Sequence, residues 1–163
     1  MFYSKTFGEL ELKDIPEKIL EYYNRMKGYE CPFNIVIGTD SQNFDNTKIV
    51  SVVVVTCEGH GGIFFYEITK HKKIEDIRSK LFIETNLSIK IANKLLSYLE
   101  NDSYQDVYLN SNFSIHVDAG LSDNGKTKSM IAELVGWVKS SGFDCEIKPN
   151  SYAASSVADK LSK

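Results

Sequence analysis

The stretch that decides the fold is Phe33–Thr69, FNIVIGTDSQNFDNTKIVSVVVVTCEGHGGIFFYEIT. It contains three apolar runs that are rich in β-branched residues, at Phe33–Asp40, Lys48–Cys57 and Ile63–Thr69. The sequences QNFDNT and EGHGG separate these runs, and both consist mainly of residues that favour chain reversal. Three strand-like runs joined by short turns predict an antiparallel meander.

Helix and strand patterns alternate on the carboxyl side of this meander. Helices are predicted at Ile74–Glu100, Gly125–Ser141 and Tyr152–Ser162, and strands at Phe113–Asp118 and Phe143–Ile147. Because strands that alternate with helices join a sheet in parallel, the last two strands should run parallel to their neighbours. The expected fold class is therefore α/β, with a mixed five-stranded sheet (a three-strand antiparallel meander plus two parallel strands) flanked by helices.

An extra helix is predicted before the meander, over Asp14–Lys27, where Pro16 suits the first turn. The length of 163 residues suits one domain. We therefore expect a single domain over 1–163, with 1–30 as an N-terminal helical extension and 31–163 as the core.

The composition excludes several classes of protein. The chain is 42% hydrophobic and 25% charged, with 10 Gly and 3 Pro, which excludes disordered and collagen-like chains. No apolar run approaches the roughly 20 residues of a membrane span, and the start MFYSKTFGELEL lacks the pattern of a secretory signal. The net charge of −3 excludes a strongly basic nucleic-acid coat, so a polyanion would have to bind a local patch.

The three cysteines, Cys31, Cys57 and Cys145, indicate a cytoplasmic, reducing location, because they are odd in number and have no CxxC spacing. Cys57 and Cys145 lie in or beside strand-like runs and are interpreted as small core hydrophobes. The histidines and cysteines show no paired ligand spacing, which argues against a structural zinc site.

Two aspartates end predicted strands. Asp40 closes the first strand in IVIGTDSQ, on the same strand face as Val36 and Gly38, and Asp118 closes the fourth strand in SIHVDAG, on the same face as His116. Open α/β sheets bind ligands at the carboxyl ends of strands, so both are candidate site residues. The alternative for Asp40 is an aspartate that starts a turn. His116 is interpreted either as a ligand or proton carrier or as a hydrogen-bonded neighbour of the site.

Glu84 lies at the centre of an apolar stripe on the long predicted helix. With about 100° per residue, four apolar residues fall within about 60° of it; they are Ile77, Leu81, Ile91 and Leu95. A carboxylate buried there without a partner would be costly, so it needs a cation, a hydrogen-bond network or a raised pKa. The alternative is a structural glutamate paired with Arg78, a lysine or a backbone group.

Two further acids carry weaker signals. Asp159 lies in the last predicted helix, ASSVADKLS, where helical phase sets it opposite Val157 and Leu161. A solvent-facing position is therefore the alternative for Asp159. Asp123, in the loop after the fourth strand, is a fifth candidate.

Converging carboxylates point to metal chemistry. They repel one another and attract a hard divalent cation, and carboxylate oxygens suit Mg²⁺ or Mn²⁺ better than Zn²⁺. Two such ions about 3.5–4 Å apart support phosphodiester hydrolysis without a protein nucleophile. This fits a sequence without a GxSxG, HExxH or complete P-loop motif.

The order of elements, with acids at these positions, resembles the ribonuclease H-like fold. More closely, the chain is similar to the YkuK-type ribonuclease H-like family, and the resemblance covers about residues 1–162. The matching stretches are IGTDSQ (Ile37–Gln42), IETNLSIKIA (Ile83–Ala92), HVDAG (His116–Gly120) and KPNSYAASSVADK (Lys148–Lys160). The resemblance implies a divalent-metal-dependent nuclease that acts on RNA or DNA, with Mg²⁺ or Mn²⁺ as cofactor.

By this resemblance, the catalytic and metal-binding residues are Asp40, Glu84, Asp118 and Asp159. Ser41 and Gln42, which follow Asp40, and Lys148, which ends the fifth strand, are expected to contact the substrate. The chain departs from ribonuclease H itself, which has TDGS where this sequence has TDSQ. It also lacks the basic protrusion with which some members bind a hybrid, so an RNA–DNA hybrid is not the implied substrate.

Three functions stay open. A nuclease would bind phosphates through basic residues near the acids; they are Lys70, Lys72, Lys73, Arg78, Lys80, Lys126, Lys128 and Lys148. The alternative is a binding module of the same fold with weak or no catalysis, which binds nucleic acid or a protein partner. The acidic net charge favours that module, because affinity for nucleic acid rests largely on phosphate neutralisation. A kinase or ATPase of the actin and sugar-kinase type is least favoured, because those proteins duplicate the domain.

Overall fold

The computed structural model describes residues 1–120 and 125–163, and these form a seven-stranded sheet flanked by helices. The strands are β1 (Phe2–Ser4), β2 (Gly8–Leu10), β3 (Phe33–Asn43), β4 (Thr47–Cys57), β5 (Gly62–His71), β6 (Ser111–His116) and β7 (Asp144–Glu146). The α-helices are α1 (Ile15–Met26), α2 (Ile77–Leu99), α3 (Gln105–Asn110), α4 (Gly125–Ser140) and α5 (Asp159–Ser162). A wider π-helical segment, Ala153–Ala158, runs directly into α5, and the two together are called the C-terminal helix.

The strand order is β2-β1-β5-β4-β3-β6-β7. β3, β4 and β5 pair antiparallel, whereas β6 pairs parallel with β3 and β7 pairs parallel with β6. The predicted α/β architecture, a meander extended by two parallel strands, is confirmed. Among the described residues, no helix has the length and apolar character that crossing a membrane requires.

The prediction of five strands is wrong, because residues 1–10 add a hairpin to the β5 edge of the sheet. β1 and β2 pair antiparallel, with Phe2 opposite Leu10, and β1 also pairs with β5. Both strands have three residues, which is too short for the alternation that identifies a strand in a sequence. Residues 1–30 thus contribute to the same sheet as the rest of the chain, and a single domain over 1–163 stays a prediction.

Two apolar layers cover the two faces of the sheet. The main core lies between one face and α1, α2 and α4, and its buried strand residues include Ile35, Ile37, Val53, Val55, Phe65 and Ile115. A smaller cluster lies on the other face, under the C-terminal helix; its buried members are Val36, Val50, Val52, Val54, Ala153 and Ala158. The run Val52–Val55 is buried throughout, as its continuous apolar pattern indicates for a strand covered on both faces.

Two strand ends differ from the prediction and involve site residues. β3 continues to Asn43, so Asp40 lies inside the strand. β6 ends at His116, so Asp118 lies two residues beyond its strand. The two aspartates are nevertheless level with each other, because Gly38 pairs with His116 in the parallel register and each aspartate follows two residues later.

Cys31 and Cys57 are joined in a disulfide, which the sequence analysis did not expect. The strand register brings the two cysteines close together. Phe33 lies opposite Cys57, and Cys31 comes two residues before Phe33 in the chain. The two Cα atoms are 5.5 Å apart, an ordinary separation for a disulfide. Cys57 is buried in the main core, which confirms the interpretation of this residue. The free Cys145 is only partly buried and packs against that core.

Candidate functional site

Four acidic side chains meet at one end of the central strands. Asp40 projects from β3 towards the C-terminal helix, Glu84 comes from α2, Asp118 follows β6 and Asp159 begins α5. Their charges act on one another: Asp118 and Asp159 raise the pKa of Asp40, and Asp40 and Asp118 raise the pKa of Glu84. The structure therefore places Glu84, Asp118 and Asp159 within electrostatic range of Asp40.

Asp40 is a buried carboxyl group with 4% of its surface exposed. Ser162 donates a hydrogen bond of 2.8 Å to its Oδ2, and the carboxyl group lies within hydrogen-bonding reach of Asp118. Burial is the main reason that the pKa of Asp40 is raised to about 6; the charges of Asp118 and Asp159 raise it further, and the bond from Ser162 lowers it. A positive charge near Asp40 would therefore stabilise its ionised form.

Glu84 is equally buried, with 5% of its surface exposed. Ser41 donates a short hydrogen bond of 2.6 Å to its Oε1. Burial raises the pKa of Glu84 to about 8, against the lowering effect of the bond from Ser41. Glu84 thus has both the hydrogen bond and the raised pKa that its position predicts. The alternative pairing with Arg78 is wrong, because the Arg78 guanidinium lies 3.0 Å from Glu133.

Asp118 and Asp159 differ from this buried pair, because each contacts a lysine. The Nζ of Lys148 lies 3.1 Å from Oδ1 of Asp118, and Ser155 donates a hydrogen bond of 2.7 Å to the same oxygen. The Nζ of Lys163 lies 2.8 Å from Oδ2 of Asp159. Both lysine side chains are more than half exposed, at 52% and 67%, so these ion pairs are weak and a divalent cation would compete with them effectively.

The donor set suits a hard divalent cation, because all four groups are carboxyls and Mg²⁺ and Mn²⁺ prefer carboxylate and water oxygens. In the described part of the chain, neither Asp40 nor Glu84 forms an ion pair. As the described side chains stand, no three of the His, Cys, Asp and Glu residues form a group that could hold a metal ion.

Comparison with known proteins identifies the family. The family described as ribonuclease H-like matches residues 14–163. The chain belongs to the ribonuclease H-like family. It is also 28% identical, over 172 aligned positions, to "Uncharacterized protein YkuK" of Bacillus subtilis (strain 168), and the alignment covers 100% of this chain and 97% of that protein. The resemblance to the YkuK-type ribonuclease H-like proteins is therefore confirmed, whereas no solved structure matches the chain.

His116 anchors the C-terminal helix of this ribonuclease H-like protein. Its Nδ1 accepts a hydrogen bond of 3.1 Å from the backbone N–H of Ala153, and its ring packs edge-on against Tyr152, with 4.6 Å between the ring centroids. Burial lowers the pKa of His116 to about 4, so the imidazole is neutral near pH 7. These contacts favour the hydrogen-bonded neighbour over the proton carrier.

The residues expected to contact a substrate take different positions. Ser41 is fully buried and its hydroxyl binds Glu84, so it orients an acid and does not face the exterior. This corrects the expectation of a substrate contact for Ser41. Gln42 is half-buried and Lys148 is exposed, and their roles towards a substrate stay predictions. Asp123 lies outside the described residues.

Ser155 and Ser162 are site residues that the sequence analysis missed. From the C-terminal helix they donate hydrogen bonds to Asp118 and Asp40, respectively. The available signal was the row of small residues in AASSVA, which lets this helix lie close to the sheet. Without knowledge of which strand residues face the helix, that row does not reveal the two bonds.

Replacing Glu84 by glutamine should stabilise the protein in metal-free buffer, increasingly so as the pH rises. The pKa of Glu84, about 8 in the folded state, lies above its ordinary value of 4.5. The folded state therefore holds a proton that the unfolded chain releases, and wild-type stability falls between about pH 4.5 and pH 8. Glutamine stays neutral and still accepts the bond from Ser41. We expect an advantage of about 2–4 kcal/mol at pH 8 and none at pH 4, measured by urea unfolding with a chelator present.

The matched control is Glu75→Gln, because the Glu75 side chain is 79% exposed. Its stability should follow that of the wild type at every pH. If the free energies of unfolding of wild type and Glu84→Gln changed in parallel from pH 4 to pH 8, Glu84 would ionise like an exposed glutamate and the prediction would be wrong.

Proposed function

We propose that this ribonuclease H-like protein is a divalent-metal-dependent nuclease that hydrolyses phosphodiester bonds in RNA or DNA, with Mg²⁺ or Mn²⁺ as cofactor. In this proposal Asp40, Glu84, Asp118 and Asp159 are the metal ligands. Membership of the family supports a nuclease-like or nucleic-acid-binding role. The residues of the site support the more specific assignment.

The observation that carries the proposal is the burial of Asp40 and Glu84 at the same end of the sheet, at 4% and 5% exposure. Neither forms an ion pair within the described residues. Two carboxyl groups held this way cost stability. Clustered groups with perturbed pKa values are typical of functional sites, and cation binding would offset the cost.

The chain's own residues position the acids. Ser41 holds Glu84 from β3, and Ser162 holds Asp40 from the C-terminal helix. When bound, Mg²⁺ or Mn²⁺ supplies the positive charge that activates water for attack and stabilises the leaving oxygen. Lys148 lies beside Asp118 with an exposed side chain, which suits it to bind a substrate phosphate once its contact with Asp118 opens.

A basic and partly apolar surface beside the acids supports a nucleic-acid partner. Phe44 and Ile68 are 58% and 42% exposed, and they line a cavity of about 320 Å³ together with Lys48, Lys70, Asp45 and Asn46. Ile68 lies two strands from Asp40 in the same row of the sheet. An exposed aromatic ring beside lysines is the combination with which proteins bind single-stranded nucleic acid.

Adding Mn²⁺ should raise the melting temperature of the wild-type protein. A cation at 100 times its dissociation constant adds about 2.7 kcal/mol of stability, which corresponds to roughly 5–10 °C for a chain of this size. Asp118→Asn should lose most of this rise, because it removes one ligand. The control Asp144→Asn, which changes an exposed residue of β7, should keep it. Differential scanning calorimetry with and without Mn²⁺ measures the effect.

A cleavage assay separates the nuclease from the alternative binding module. Labelled single-stranded RNA, single-stranded DNA, duplexes and a four-way junction are incubated with the protein and Mg²⁺ or Mn²⁺. The nuclease requires both the melting-temperature rise and cleavage of at least one substrate. A rise with no cleavage of any substrate would contradict the nuclease and favour the module. Absence of both would contradict metal binding as well.

A further inference from the structure

A cavity of about 470 Å³ lies on the sheet face that carries the C-terminal helix, and its volume is in the range of small-molecule sites. Residues of β3, β6 and β7 form its floor, and the loop after β7 and the start of the C-terminal helix form its rim. Its polar lining residues are Asn34, Ser114, His116, Glu146, Asn150 and Tyr152. None of these is among the four acids of the candidate metal site.

The strand register explains why these side chains converge. Val36 pairs with Ser114 across β3 and β6, and His116 pairs with Glu146 across β6 and β7. Paired residues of neighbouring strands point to the same face of a sheet, and Asn34 shares that face with Val36 because the side-chain period is two. The C-terminal helix packs on β3 and β4, so it leaves this polar part of the face accessible.

The lining groups present a defined set of donors and acceptors. Oδ1 of Asn34 accepts a hydrogen bond of 3.3 Å from Asn112, which leaves the amide hydrogens of Asn34 for a ligand. Nδ1 of His116 is taken by the backbone N–H of Ala153, which leaves Nε2 as the ring nitrogen that could contact a ligand. Glu146 is exposed and forms no ion pair within the described residues, so its two oxygens are free to accept.

This set selects the chemical class of the ligand. The carboxylate of Glu146 repels a phosphate, but it accepts hydrogen bonds from a planar group with two adjacent N–H donors. Guanine offers such a pair at N1 and N2, together with the acceptors O6 and N7, which fit the donors of Asn34 and Ser114. The side chains of Val36, Pro149 and Tyr152 line the same cavity and offer apolar contact to a base. We propose that this cavity binds a guanine base, with Glu146 as the acceptor for its N1 and N2 hydrogens.

The position of the cavity relates it to the candidate metal site. Val36, in its lining, and Asp40 lie on the same face of β3, four residues apart, which is about 13 Å along a strand. A few nucleotides of single strand span this distance. Where the guanine is part of a nucleic-acid strand, the inference rests on the proposed nuclease. The cavity then makes the enzyme select strands that carry an unpaired guanine at a fixed distance from the cleaved bond. A free guanine nucleotide is the other source of the same chemistry.

The first test measures binding without metal, so it does not depend on catalysis. GMP, AMP, CMP and UMP are titrated into the full-length protein by calorimetry with a chelator present. GMP should bind about 10-fold or more tightly than the other three nucleotides. Glu146→Gln should lose this preference. Glutamine replaces one of the two acceptor oxygens with an NH2 group, which cannot accept a hydrogen bond from a guanine N–H. The control Glu75→Gln should keep it. Equal affinity for the four nucleotides in the wild type would overturn the guanine site.

The second test uses single-stranded oligonucleotides, each with one guanine at a different position, in the presence of Mn²⁺. Cleavage at a fixed offset from the guanine, lost in Glu146→Gln, supports a strand as the source of the base. Binding of GMP together with cleavage that ignores guanine assigns the cavity to a free nucleotide. Binding of GMP with no cleavage of any strand supports the guanine site and overturns the nuclease. Cleavage without GMP binding and without a fixed offset supports the nuclease and overturns the guanine site.

Discussion

Replacing Asp40 by asparagine should lower the rate of Mg²⁺- or Mn²⁺-dependent phosphodiester cleavage at least about 10³-fold, while the fold stays intact. A neutral amide binds Mg²⁺ or Mn²⁺ more weakly than a carboxylate does, and loss of about 4 kcal/mol of metal-assisted transition-state stabilisation corresponds to this factor. Asparagine keeps an oxygen that accepts the bond from Ser162, so the C-terminal helix should stay docked. Single-turnover cleavage at saturating metal, with circular dichroism as the check of folding, measures the effect.

The matched control for this prediction is Asp106→Asn. Asp106 is exposed in the first turn of α3, which precedes β6 and so lies at the opposite end of that strand from Asp118. Its substitution should leave the rate within about 2-fold of wild type. Full activity of Asp40→Asn would contradict the proposed nuclease. A comparable loss in both variants would point to a general effect of removing negative charge.

The positions of Asp40 and Glu84 could be predicted from the sequence because both depend on local periodicity. Strand alternation places Asp40 on the face of Val36 and Gly38, which is the face under the C-terminal helix. Helical phase places Glu84 on the apolar stripe of α2, and the side chain is buried as expected. In both cases the information lies within a few residues of the acid itself.

The partners of these acids could not be predicted, because they come from distant parts of the chain. Ser162 reaches Asp40 across 122 residues, and Ser41 reaches Glu84 across 43 residues. Such contacts depend on which helices and strands pack together and on how they are aligned along one another. A single sequence does not reveal either. The β1–β2 hairpin escaped prediction for a different reason: its strands have three residues each, fewer than the roughly four to eight over which alternation identifies a strand.

Two lysine contacts reduce the electrostatic repulsion among the four acids of the candidate site. Lys148 and Lys163 offset the charges of Asp118 and Asp159, while Asp40 and Glu84 have raised pKa values because of burial. The acids therefore divide into a half-buried pair with lysine partners and a fully buried pair without them. In the proposed nuclease, Asp40, Glu84, Asp118 and Asp159 would hold the cation, and its positive charge would offset their negative charges in place of the two lysines.

Replacing Gly38 by alanine should destabilise the protein by about 2–4 kcal/mol, since the new methyl group has no room. A Cβ at this position would lie 2.6 Å from the backbone nitrogen of Ala154 and 2.8 Å from the carbonyl carbon of Ala153. Both are backbone atoms of the C-terminal helix, so the helix itself must move. The melting temperature should fall by roughly 5–15 °C.

The same displacement should weaken the candidate metal site, because the C-terminal helix carries Asp159 and Ser162. Gly38→Ala should therefore also lose most of the Mn²⁺-induced rise in melting temperature. The control is Gly136→Ala, on the exposed side of α4, where an added Cβ meets nothing within 4 Å and alanine should stabilise the helix by up to about 1 kcal/mol. If Gly38→Ala melted at the wild-type temperature, the close packing of the C-terminal helix on β3 would be wrong, and Ser162 would lose its place beside Asp40.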